Sequence, residues 1–308
     1  MEAPDQRIVQ IADDQFGLIT RRQALDAGLG ENRLRSRLRS GFLVRAGART
    51  YRLVGAPDTV DVQLRALMLD IGGEVWASGP TAAAHHELDG YELTPPFDVT
   101  ILRRRDVKRV GHRIHTTTRL DPVDRTRVRG VRVTSVARTL IDLARVESTR
   151  RLTIALDSAL RDGKVTEDRL HRRIVALRSS GRLGIPKLLD AIEGVDVIRG
   201  AHSYLERRFV ELVASRGLPL PETQRVLGRA NGRVVRVDFR FPGTPVIVET
   251  LGYRWHRSRA QMNADAARMN ALLAEGLQPY QFTYDQVVGS PDDVIDQVAA
   301  ALATARAA

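Results

Sequence analysis

Two carboxylates near the C-terminal end have the types and setting for phosphate chemistry. Asp238 lies in the apolar run Val234–Phe239, and Glu249 ends a second run, Val246-Ile247-Val248; Pro242, Gly243 and Pro245 turn the chain between them. On neighbouring strands such a pair can hold Mg²⁺ against a phosphate ester, because Mg²⁺ takes one or two protein carboxylates and keeps several waters. The ion would polarise the phosphate and lower the pKa of the attacking water. His256 has the chemistry of a base or a leaving-group proton donor, and Glu206 offers a further outer-shell carboxylate.

One position argues against cleavage. Residues two apart on a strand share a face, so position 251 looks at the same metal as Glu249. Leu251 stands there, and an isobutyl group cannot bind metal, orient water or stabilise a phosphorane. Each acid by itself is also a plain strand-end or edge carboxylate. Trp255, beside Tyr253 and Arg254, is read as closing the core rather than stacking on a base.

The elements that must position these residues follow from local pattern. Tyr204, Leu205, Phe209, Leu212 and Val213 have helical periodicity, with Ser203 as N-cap and Glu206 completing a capping box. Asn231-Gly232 marks a tight turn into the first carboxylate strand. The near-continuous apolar run 246–248 suits a strand buried on both faces. A helix is expected over 258–275, stopped by Gly276, then a strand at 280–283 and a helix after Ser290-Pro291.

This α-β-β-β-α-β-α order, with Asp238-Phe239, Glu249, Gly252 and His256 in place, resembles the PD-(D/E)xK nucleases and, more closely, a Vsr-like branch of unknown function. Ser203, Glu206 and Phe209 match its leading helix, and Asp265 and Arg268 match the helix after the histidine. The resemblance covers about residues 202–290. It implies a restriction-endonuclease-like fold, with Asp238 and Glu249 as Mg²⁺ ligands and Asp238, Glu249, His256 and Glu206 as the catalytic set if the site is active. Leu251 departs from the lysine of the wider superfamily and the aspartate of the closer branch. Met269 also replaces an acid, and Pro279 and Gln281 interrupt a strand where basic residues are common.

A second kind of chemistry is written upstream. The chain carries 48 Lys/Arg against 37 Asp/Glu, a formal charge of +11, and all but Lys108, Lys164 and Lys187 of the cations are arginine. Such an excess points to a polyanionic partner, with GC-rich coding as the competing source of arginine. Residues 1–200 hold 35 cations and 26 acids, and residues 201–308 hold 13 and 11, so the basic character is mostly upstream.

There the pattern reads helix, helix, helix, hairpin. Ile8, Ile11, Ala12 and Phe16 recur at helical spacing, Thr20 and Gln23 form a capping box, and Leu34 and Leu38 define the inner face of a third helix. Phe42–Val44 and Tyr51–Leu53 are strands about the turn Ala46-Gly47-Ala48. This is the order of a winged helix-turn-helix. With the leucines turned inward, Arg33, Arg35, Arg37 and Arg39 are expected to project into a major groove, and Arg45 and Arg49 to touch phosphate from the wing. A solvated helix face would mix signs for i,i+4 pairing, whereas residues 31–52 set seven arginines against Glu31 alone.

Strands at 75–77, 99–102, 113–115 and 131–133, with helices after Gly79-Pro80 and Thr134-Ser135, make residues 55–145 a small α/β unit. Between 103 and 132, eleven Lys/Arg face three aspartates, a second basic patch suited to DNA or to an acidic protein. His85, His86, His112 and His115 are not read as a metal site, since 112 and 115 lie on opposite faces of a strand.

From Ile8 to Leu189 the chain resembles the AbiEi-type antitoxins of type IV toxin–antitoxin systems. The residues that carry this are Gly17–Arg21, Leu43–Arg45 with Tyr51-Arg52, Ser78–Ala83 and Thr134–Ala144. The resemblance implies operator binding, transcriptional repression and a cognate toxin as protein partner.

The expected organisation is an α+β or α/β multidomain protein. Residues 1–54 form the winged helix, 55–145 the α/β domain, 146–200 a helical connector and 201–308 the nuclease-fold domain. Double-stranded DNA is the expected ligand, with Mg²⁺ the only cofactor and only for an active site. No cysteine is present, which excludes disulfides, thiolate zinc sites and cysteine nucleophiles. No apolar run approaches a membrane span and none near the start reads as a secretion signal, so a cytoplasmic location is expected.

Overall fold

The computed structural model describes residues 3–102, 107–178, 184–198, 204–230, 233–251 and 259–307. Among them are thirteen α-helices, one short 3-10 helix and twelve strands in a mixed α/β arrangement, and no helix is long and apolar enough to cross a membrane. The chain divides into two compact units, Met1–Leu143 and Ala144–Ala308.

The first unit begins with α1 (Ala3–Asp13), β1 (Leu18–Thr20), α2 (Arg21–Asp26), α3 (Glu31–Arg39), β2 (Leu43–Arg45) and β3 (Thr50–Leu53). β3 lies between β1 and β2 and is antiparallel to both. β1 is too short to announce itself by periodicity. Thr20 both ends β1 and caps α2: its hydroxyl accepts from the Gln23 amide, and the Gln23 side chain accepts from the Thr20 amide in return. Ile8 and Ala12 of α1 pack with Leu34 of α3, Leu43 and Tyr51 in one buried cluster. Phe16, expected on the first helix, lies beyond its end with φ 59° and its ring half exposed.

Next come α4 (Val60–Ile71), β4 (Val75–Ala77), α5 (Gly79–His85), β5 (Asp98–Leu102), β6 (Arg113–Thr117), β7 (Arg125–Val128), β8 (Val131–Thr134) and α6 (Val136–Val146). The five strands run β6-β5-β4-β8-β7, with β5/β6 and β4/β8 parallel and β4/β5 and β7/β8 antiparallel. Leu64, Leu67 and Ile71 of α4 pack on Val75, Val99, Ile101 and Val133 of this sheet. The run Thr134–Ala144 contains a structural charge network: buried Arg138 bonds Asp124 at 3.0 Å and Asp142 at 2.9 Å. Removing one partner of such a buried set costs about 3–5 kcal/mol, because a bare charge is left behind.

The second unit holds α7 (Thr149–Arg161), α8 (Glu167–Leu177), α9 (Ile185–Ile198), α10 (Tyr204–Ser215), β9 (Glu222–Ala230), β10 (Arg233–Arg240), β11 (Val246–Leu251), α11 (Arg259–Ala274), β12 (Gln278–Thr283), α12 (Tyr284–Gly289) and α13 (Pro291–Ala307). Its sheet runs β12-β11-β10-β9. β9, β10 and β11 form an antiparallel meander, and α11 carries the chain over to β12, which lies parallel to β11. Pro279 does not interrupt β12. The strand is at the sheet edge, where a missing amide donor costs no ladder bond.

Phe209 of α10 packs on Phe239 and Phe282, with ring centroids 4.5 and 6.5 Å away. His171 of α8 is buried, stacked on Tyr204 at 3.6 Å and bonded to the Tyr284 hydroxyl. That burial pushes the imidazole down to about 3.

Candidate functional site

Two regions hold the candidate residues. The first is α3 with the β2–β3 hairpin. Leu34 is buried and turns the helix so that Arg33, Arg35 and Arg39 are exposed. The lone acid of the run, Glu31, is engaged by Arg21. Arg35 reaches Asn32 at 3.1 Å. Arg37 departs from the expected outward set. It sits on the flank of α3 and grips the buried Asp5 of α1 with two bonds, 3.0 and 2.6 Å, tying the two helices together. On the 100° step of the helix, positions 33 and 37 lie about 40° apart while 35 and 39 fall on another face, so the four arginines do not share one surface.

On the hairpin, Arg45 and Arg49 are exposed, and Arg45 lies over the Tyr51 ring at 6.0 Å. The hairpin tip is anchored. Asp70 of α4 accepts from the backbone amide of Arg49 and from Arg109. A Cβ on Gly47 would lie 2.8 Å from an Asp70 carboxylate oxygen, so only glycine permits this approach. Asp70, buried and remote in sequence, had no signal that sequence reasoning could use.

The second region is the C-terminal sheet. The β10/β11 register pairs Phe239 with Val248 and Arg240 with Ile247. The Asp238 carboxylate accepts from the Thr250 amide at 2.9 Å and the Thr250 hydroxyl at 3.3 Å. Asp238 is thus fastened to the residue that follows Glu249 on β11. Glu249 is 5% exposed, and both of its oxygens are occupied. Arg268 of α11 donates to Oε1, and Gln281 of β12 donates to Oε2 at 3.1 Å. Gln281, a departure from the nuclease pattern, is a partner of the carboxylate it lies beside in the parallel register.

Glu206 accepts from Gln224 of β9 at 2.7 Å. Leu251 is half-buried at the end of β11, and Met269 packs with Val237, Ile247 and Leu272. His256, Gly252 and Trp255 lie outside the described residues.

Among the described residues no three His, Cys, Asp or Glu side chains come together as a metal site. Among the described residues a guanidinium and an amide each bond one oxygen of Glu249, and Thr250 bonds one oxygen of Asp238. His115 bonds Asp98 at 2.7 Å, and His112 stacks on Phe97 and accepts from its amide.

No protein-family model matches this chain, and no curated protein matches it. Among solved structures, the catalytic domain of the homing endonuclease I-Bth0305I is 21% identical over 33% of this chain and 97% of its own length, with a TM-score of 0.28. The RV2827C protein from Mycobacterium tuberculosis is 16% identical over 66% of this chain and 83% of its own, with a TM-score of 0.45. Likenesses this distant carry no functional argument.

Proposed function

We propose that this chain binds double-stranded DNA through a winged helix-turn-helix at its N-terminal end, and that its C-terminal domain has a nuclease fold whose carboxylates serve packing. The observation that carries this reading is the exposure of Arg33, Arg35 and Arg39 on α3, in a run (residues 31–52) whose one acid, Glu31, is engaged by Arg21. The order α1-β1-α2-α3-β2-β3 supports α3 as the recognition helix and the hairpin with Arg45 and Arg49 as the wing. Arginine is suited to this surface, since its planar fork meets phosphate or guanine with two bonds. The antitoxin resemblance makes an operator the DNA and a toxin the protein partner; co-expression with the product of the neighbouring gene tests the latter.

The test of DNA binding is retardation of promoter DNA across increasing salt. A complex is expected that weakens steeply between about 50 and about 200 mM salt, because phosphate contacts release counterions. Arg35→Ala with Arg39→Ala should weaken it by about tenfold or more. Binding unchanged in that double variant would exclude α3 as the recognition helix.

A second reading, Mg²⁺-dependent DNA cleavage, is favoured by the adjacency of Asp238 and Glu249 across Thr250. It predicts plasmid nicking that EDTA and Asp238→Ala abolish. The Glu249–Arg268 pair weighs against it, because the guanidinium already balances the charge of that carboxylate.

A further inference from the structure

A cavity of about 480 Å³ opens within the N-terminal unit, where Asp14 and Phe16 just beyond α1 face α4 and the β7–β8 hairpin. Pockets for small molecules run from roughly 300 to 1,000 Å³. Its charge is one-sided: Arg65, Arg127 and Arg132 line it against the single carboxylate of Asp14. Arg127 and Arg132 are directly opposed in the antiparallel β7/β8 ladder, and like charges so placed repel. Arg132 donates to the Gly73 carbonyl at 2.8 Å and Arg127 to the Gly130 carbonyl at 3.2 Å. Among the described residues both guanidinium groups are thus held by neutral carbonyls.

Arg65 is held differently. It bonds Asp61 and the Arg129 carbonyl, both at 2.6 Å, and lies 3.9 Å over the Phe16 ring. Phe16 is 52% exposed and adopts a left-handed φ that side chains seldom take. Burial, and then the charge of Arg127, lower the Arg132 pKa, and the charge of Glu74 only partly offsets them. Met68 and Leu69 add apolar wall.

We propose that this cavity binds a small phosphate-bearing molecule, with the phosphate between Arg127 and Arg132 and the rest of the ligand against Phe16, Met68 and Leu69. Two guanidinium forks facing one concavity suit a compact dianion. The glycine carbonyls hold the forks in place while leaving most of their N–H donors for a ligand. A DNA backbone phosphate has the same chemistry, and a concave seat with an apolar wall favours the small molecule over a duplex.

The test is calorimetric titration of the full chain with pyrophosphate and with AMP, repeated for Arg127→Gln and Arg132→Gln. Saturable binding of at least one probe is expected, weakened about tenfold or more in each variant. The ligand-free variants should melt no lower than the parent, since each change relieves a repulsion. Three outcomes overturn the proposal: no saturable heat from either probe, affinity unchanged in both variants, or loss of duplex affinity in the variants without probe binding by the parent, which would assign these arginines to DNA.

Discussion

The basic surface of α3 and the carboxylates of β10 and β11 are both clusters of charge, and they differ in what the protein does with that charge. On α3, Arg33, Arg35 and Arg39 are exposed, and the one acid of residues 31–52, Glu31, is engaged by Arg21. On the sheet, Glu249 is buried between Arg268 and Gln281, and Asp238 is fastened to Thr250. A protein that neutralises a charge internally has used it for folding. One that leaves charges of a single sign exposed keeps them for a partner. Arg37 makes the same distinction within a single helix, since Asp5 takes it out of the exposed set.

The largest expected effect falls on the exposed cluster. Replacing Arg33, Arg35 and Arg39 together by alanine should reduce duplex affinity about 100-fold at low salt, with a shallower salt dependence, as read by fluorescence anisotropy. Arg37→Ala should instead lower the melting temperature, through loss of the α1–α3 tie.

Next is the buried pair. Arg268→Ala leaves Glu249 buried without its cation and should cost about 2 kcal/mol in denaturant unfolding, a value reduced because Arg268 is itself partly exposed. A rise in stability on that change, or a gain on adding Mg²⁺ to the parent, would show that the carboxylate is kept for a metal and erase the contrast with α3.

A pH-dependent effect comes from His171. Its imidazole is held at about 3 by burial, below the ordinary 6.5, so the unfolded chain binds the proton more readily. Its contribution to stability is complete above pH 6.5 and is lost as pH falls towards 3, at up to about 1.4 kcal/mol per pH unit. Stability of the second unit should therefore decline over that window, and His171→Phe should flatten the decline.

The smallest effect concerns Leu251. Leu251→Asp should leave DNA affinity unchanged, and cleavage with Mg²⁺ gained only in that variant would mark a lapsed nuclease site.

What was legible in the sequence was local. The Thr20/Gln23 box, the Leu34/Leu38 face and the apolar run of β11 each lie within a few residues, where capping and periodicity act. Partners distant in the chain were not legible. Asp5 with Arg37, Gln281 with Glu249 and Asp70 with Arg49 are joined only by tertiary packing. β1 and α12 escaped, although the Thr283/Gln286 box that opens α12 is the same local signal that announced α2. The meaning of the carboxylates was lost for the same reason: Asp238 and Glu249 are visible as acids, and their partners are not.

Hydrogen exchange with and without duplex DNA, read by mass spectrometry, tests the central claim most directly. Slowed exchange is predicted across 31–53, covering α3 and the hairpin, with β10 and β11 unchanged. Protection confined to 233–251, with none in 31–53, would contradict it.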